Sequence, residues 1–181
     1  MDFFRQYSVG IGILSMITII LGTFAQAGSM MQKMLFFFPA PVLVYVAYVG
    51  GQRMLMTLQF MVTLGAALAF MDYVPSFVRY YLLIGCSLVG VVYLIKIGYF
   101  KEDVWWPVGG LGMILLSFGY STDAMNYPIL FNSLLTIGGM LVAVYSSISY
   151  FRNRVRIAFI WLFLNIVFVV KPLSVVISMM A

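Results

Sequence analysis

Charge is scarce in this sequence. Only 8% of its 181 residues are Asp, Glu, Lys or Arg, against about a quarter in an ordinary soluble domain. With 64% hydrophobic residues and a mean hydropathy of +1.09, a water-soluble fold is excluded, because such a fold has too little interior to hide that apolar surface. Histidine is absent altogether, which excludes histidine-ligated metal or haem and histidine-based proton transfer. A lone cysteine, Cys86, rules out a disulfide within the chain and leaves the redox compartment open. The acids are Asp2, Asp72, Glu102, Asp103 and Asp123, all expected in loops or at segment ends. Glu102-Asp103 is one adjacent pair with too few ligands to hold a divalent ion, and it reads as a solvated loop. Ser146, Ser147 and Ser149 have no base to activate them and are expected to bond back to helix carbonyls or to a neighbouring helix. The expectation is a protein that is not an enzyme and uses no cofactor or metal. The formal charge of +5 is scattered over short loops, so nucleic acid is not an expected partner.

What the chain has instead is long apolar runs. They are continuous, whereas barrel strands would alternate apolar and polar residues, so the fold class is an all-α integral membrane protein in one transmembrane domain, 1–181. At about 20 residues per crossing, roughly seven spans use up the chain. They are read as Ser8 to Ala27, Lys33 to Gly50, Arg53 to Phe70, Val78 to Tyr99, Trp105 to Tyr120, Pro128 to Tyr150 and Val155 to Ile177. Gly, Pro, Asp and Asn punctuate the breaks. The fifth segment is short and opens on Trp105-Trp106-Pro107, which allows a re-entrant or tilted element. Arg5 before an apolar run ending in Ala25-Gln26-Ala27 has the pattern of a secretion signal and is read as a retained first helix. Arg5, Arg53, Lys101, Arg152, Arg154 and Arg156 fall on one side, Lys33 and Arg79 on the other with Asp72 and Asp123. Because Lys and Arg accumulate in cytoplasmic loops, the N-terminus is expected inside and the C-terminus outside, in a membrane of the bacterial inner (plasma) type.

Two groups of three segments share patterns. Gly10-Ile11-Gly12-Ile13-Leu14 recurs as Gly110-Leu111-Gly112-Met113-Ile114, and Leu43-Val44-Tyr45-Val46 has a weak echo in Leu141-Val142-Ala143-Val144-Tyr145. Gln59 and Thr63 stand at nearly the same offset as Trp161 and Asn165, both pairs four apart and therefore on one helix face. The plan expected is a 3+1+3 parallel repeat, 8–72 and 104–177 with a linker helix at 78–100. An odd linker restores the starting side, as in carriers whose repeats are related by an axis along the membrane normal.

This plan, with Leu58-Gln59-Phe60 in the third segment and Trp161-Leu162-Phe163-Leu164-Asn165 after a basic loop, resembles the PQ-loop superfamily of SWEET and PnuC-type small solute carriers. The Pro-Gln dipeptide of that superfamily is absent, Phe24-Ala25-Gln26 being the nearest approach. The resemblance implies a facilitator that alternates access about a midplane site.

Intramembrane polar residues are the binding candidates, since each must find an internal partner or line a wet cavity. They are Trp161, Asn165, Gln59, Thr63 and Asn132, with Ser133, and with Tyr45, Tyr48 and Tyr145 on adjoining helices. Amides and an indole suit a neutral polar or aromatic solute such as a vitamin, nucleoside or sugar, and they serve equally as packing between helices. The partners expected are the lipid bilayer and a small neutral solute, with a homo-oligomer or a partner membrane subunit as further options. The competing expectation is a non-catalytic assembly or substrate-binding subunit of a larger membrane complex. Lys96 is expected to snorkel from a helix end. Lys171-Pro172 is expected to mark the outer end of the last helix, with Leu173 to Ala181 along the interface. Pro39, Pro41, Gly109, Gly110 and Gly112 are points where helices kink or approach closely.

Overall fold

The structure is a computed structural model that describes residues 2–71, 73–101, 103–152, 154–155 and 157–180, with residues 2–6 and 100 described by backbone alone. The charges read at Arg5, Asp72, Glu102 and Arg156 therefore lie outside the described side chains. Every regular element among the described residues is helical: α1 (Asp2–Phe24), α2 (Met30–Phe37), α3 (Pro39–Val49), α4 (Arg53–Leu68), α5 (Ser76–Lys96), α6 (Trp106–Ser121), α7 (Pro128–Phe151) and α8 (Ala158–Met180), with a 3-10 turn at Tyr99–Lys101.

Local chemistry sets the breaks. Gly28 adopts φ +77°, a left-handed conformation that glycine takes without penalty, and Ser29 then caps α2 by accepting from the Gln32 N–H at 3.2 Å. Pro39 and Pro41 remove two backbone donors, which divides α2 from α3. Phe38 between them keeps helical angles (φ −65°, ψ −41°), so Met30–Val49 is one kinked rod. Pro107 and Pro128 stand in the first turns of α6 and α7, where a missing N–H costs nothing.

Six rods form a closed ring: α1 packs on α2–α3, α3 on α4, α4 on α6, α6 on α7, α7 on α8, and α8 returns to α1. Lipid tails are as apolar as leucine, so helices associate through close packing rather than exclusion from water. Small residues supply the close approach. A Cβ on Gly65 would stand 2.6 Å from the Ser117 carbonyl oxygen, and one on Gly138 2.8 Å from that of Gly112. The ring is filled by side chains that include Leu43, Val46, Met54, Leu55, Met113, Val142, Ile160 and Phe168. α5 lies outside it against α4 and α6, burying Arg79, Leu83, Ser87 and Leu94 and exposing Phe77, Tyr81, Leu82, Leu88, Val89 and Val92.

Five stretches are long and apolar enough to cross a bilayer: Tyr7–Phe24, Met30–Val49, Ser76–Lys96, Pro128–Phe151 and Ala158–Met180; Arg53–Leu68 is apolar but shorter. The expected segment limits hold to within a few residues except at the start of α1, which begins at Asp2 rather than Ser8. The separate expectation that Lys171-Pro172 marks the outer end of the last helix is corrected, because α8 continues through Pro172 to Met180. Proline is tolerated inside membrane helices when neighbours support the loosened turn. Here Pro172, Val175 and Met179 share a cleft with Pro128, Phe131 and Asn132 of α7.

Candidate functional site: a buried amide layer beneath a polar cleft

α4 and α8 meet inside the ring through one polar contact. The Trp161 indole N–H donates to Gln59 Oε1 at 3.0 Å, with the two residues 0% and 2% exposed. One turn on, Asn165 Nδ2 donates to the Trp161 carbonyl at 2.7 Å, while Asn165 Oδ1 is buried and accepts no hydrogen bond. An unused acceptor in an apolar interior costs about 1–3 kcal/mol. Thr63, a turn beyond Gln59, spends its hydroxyl on the Gln59 carbonyl at 2.9 Å.

Three aromatic rings close this layer from one end. Phe36, Tyr120 and Phe168 form a triangle with centroids 4.9, 5.9 and 6.0 Å apart, and Phe168 stands three residues beyond Asn165, about 4.5 Å along α8. Above the triangle is a cleft of about 220 Å³ whose walls include Phe36 and Tyr120 with Gln32, Lys33, Arg79 and Asp123. Gln59, Trp161 and Asn165 do not line it. Asp123 folds the α6–α7 turn: Oδ1 accepts from the N–H groups of Met125 (3.0 Å) and Asn126 (3.2 Å), and Oδ2 accepts from Asn126 Nδ2 (2.6 Å). Partial burial pushes its carboxyl upward, but these bonds and the Arg79 charge outweigh it and hold the carboxyl below the usual range.

At the opposite end Tyr145 of α7 donates to Asp103 Oδ2 at 2.8 Å, and Asp103 Oδ1 accepts from the Trp105 N–H at 2.9 Å. Asp103, expected in a solvated loop, is only 7% exposed. The α6 entry turns it inward, where a tyrosine hydroxyl and a backbone N–H satisfy it. Tyr145 packs against Gly109, where an added Cβ would lie 2.7 Å from the ring.

The structure thus brings together three of the expected site residues, Gln59, Trp161 and Asn165, with Thr63 adjacent on α4. Asn132 sits apart near the start of α7, donating to the Pro128 carbonyl at 2.8 Å. Tyr145 belongs to the far end, and Tyr45 is 39% exposed on the flank of α3. Sequence reasoning passed over Arg79, although an arginine inside the first turn of an apolar helix was a signal for it. Lys171 bonds the Thr23 carbonyl and lies over the Phe24 ring at 5.1 Å, so it closes the last turn of α1. Lys96 is exposed in the last turn of α5.

These features define a class, a helical membrane protein with a packed polar layer inside a ring of helices. Comparison with profiles of known families, with curated proteins and with solved structures returned no match.

Proposed function

We propose that the protein is a small carrier that moves a neutral polar or aromatic solute by alternating access between two helix triplets, α1 to α4 (with α2–α3 as one rod) and α6 to α8, with α5 as the linker. The observation that carries this reading is Asn165 Oδ1, an unused acceptor beside a buried indole and amide. A hydroxyl or amide N–H of a solute is the partner that such a group lacks. Two further observations support it. α5 lies outside the ring, as a linker between repeats must. The amide layer is shut from one end by the Phe36–Tyr120–Phe168 triangle and from the other by the Tyr145–Asp103 bond, the arrangement of a carrier between its two open states.

In this reading all seven rods cross the membrane. Among the described residues Arg53, Lys96, Lys101, Arg152 and Arg154 gather at the Asp103 end, while Lys33, Arg79 and Lys171 stand toward the cleft end with Asp123. The Asp103 end is then cytoplasmic and the cleft faces out.

A second reading, a non-catalytic assembly or substrate-binding subunit, draws on the direct Gln59–Trp161 bond, in which the two side chains satisfy one another without a solute. Reconstituting the full chain in liposomes separates the two. The carrier reading expects saturable flux, without ATP, of a labelled vitamin, nucleoside or sugar, and loss of that flux in Asn165→Leu. Absence of flux for every solute, together with co-purification of a stoichiometric membrane partner, would sink it.

A further inference from the structure

The outward cleft contains a cation that the carrier reading does not use. Arg79 lines it from the first turn of α5 and is 6% exposed. Its Nη2 donates to Ser76 Oγ at 3.3 Å, and its Nε is buried with no partner. A guanidinium stays protonated at every accessible pH, and leaving one buried with a donor unmatched is costly. Asp123 shares the cleft and its charge and that of Arg79 attract, but its hydrogen bonds go to Met125 and Asn126 and Arg79 Nε stays unmatched.

We propose that this cleft is an oxyanion site, taking a carboxylate or a phosphate, with the Arg79 guanidinium as the directing donor. A planar fork donor matches the oxygens of such groups. The cavity, about 220 Å³, holds one with water left over, a water occupying about 30 Å³. The oxyanion has two possible sources, a small anion in solution or the headgroup phosphate of an anionic lipid, since the cleft lies at an end of the bundle. The site is separate from the amide layer and does not depend on transport.

The test uses the full chain purified in an uncharged detergent, with melting temperature as the readout. Inorganic phosphate and acetate are titrated at ionic strength held constant with chloride. In a second arm, micelles are doped with phosphatidylglycerol or with phosphatidylcholine. Saturable stabilisation by the free anions points to a soluble ligand, and stabilisation by phosphatidylglycerol alone points to lipid; either supports the site. Arg79→Gln is expected to weaken the response about tenfold or more, the loss of a charge-assisted pair. Should Arg79→Gln fail to fold, Arg79→Lys carries the comparison, because it keeps the charge but lacks the fork. No stabilisation from either source, or equal responses in wild type and the Arg79 variants, overturns the proposal.

Discussion

Gln59 and Trp161 lie 102 positions apart in the chain and share one hydrogen bond at 3.0 Å inside the helix ring. Each is the other's partner in a place where water is excluded, so their contributions to stability are coupled. Trp161→Phe keeps an aromatic body and strands Gln59 Oε1, while Gln59→Leu strands the indole N–H. Each single variant should lower the melting temperature, and the double variant should recover part of the loss. A coupling of about 0.6–2 kcal/mol is expected for a bond between membrane helices. Strictly additive losses in a thermal double-mutant cycle would show that the bond contributes nothing.

The crossing of α6 and α7 tests whether the ring is held by backbone proximity. A Cβ on Gly138 would lie 2.8 Å from the Gly112 oxygen and 2.9 Å from the Leu116 nitrogen, both backbone atoms that no rotamer change can move, whereas a Cβ on Gly85 meets nothing within 4 Å. Gly138→Ala is therefore expected to destabilise by about 1–3 kcal/mol through overpacking. Gly85→Ala should be neutral or gain up to about 1 kcal/mol from helix propensity. Denaturation of the two variants side by side decides it, and equal stability would contradict the close crossing.

Helix existence and limits were legible in the sequence because long apolar runs announce themselves by length and composition, and because Gly28, Gly50-Gly51 and Pro128 stand at the breaks. The association of Gln59, Trp161 and Asn165 was legible too, since polar residues in an apolar helix have few places to go. Less was visible where tertiary packing decides. Nothing local distinguishes Tyr45, exposed on α3, from Tyr145, buried against Asp103, because both sit in similar apolar runs. Asp103 read as solvated because its neighbours are charged, but the approach of α7 supplies the hydroxyl that allows its burial. Pro172 read as a stop for the same reason. Its support comes from α7, which a one-dimensional pattern does not contain.

Asp123 gives the cleft end a dependence on acid. Its folded-state carboxyl is held below the ordinary value of 3.8, with burial opposing and the Asn126 and Met125 bonds and the Arg79 charge prevailing. A depressed folded value means that the stabilisation is fully present above the unfolded value and is lost as pH falls through the folded one. The difference in melting temperature between wild type and Asp123→Asn should thus be largest above about pH 5 and shrink toward zero in stronger acid. A difference that stays constant from neutral pH down through the acid range would show that the carboxylate is not what orders the turn.

The bond between Tyr145 and Asp103 joins α7 to the entry of α6 at the end away from the cleft, and the carrier proposed above requires that end to open. Tyr145→Phe removes the hydroxyl and little else. A hydrogen bond of about 1 kcal/mol present only in the closed form biases the open–closed equilibrium by about fivefold. Ser146 supplies a reporter beside it, being fully buried with an Oγ that has no partner, so cysteine replaces it without breaking a bond. In a Cys86→Ser, Ser146→Cys background, Tyr145→Phe should raise the rate of labelling by a membrane-impermeant maleimide by about that same factor. The added reactivity should fall again when Asp103→Asn is the change and the tyrosine is kept, because an amide oxygen still accepts from the hydroxyl. If labelling is as slow in Tyr145→Phe as in the parent, the bond does not govern opening at this end, and the closure must be sought in the packing of Tyr145 against Gly109 instead.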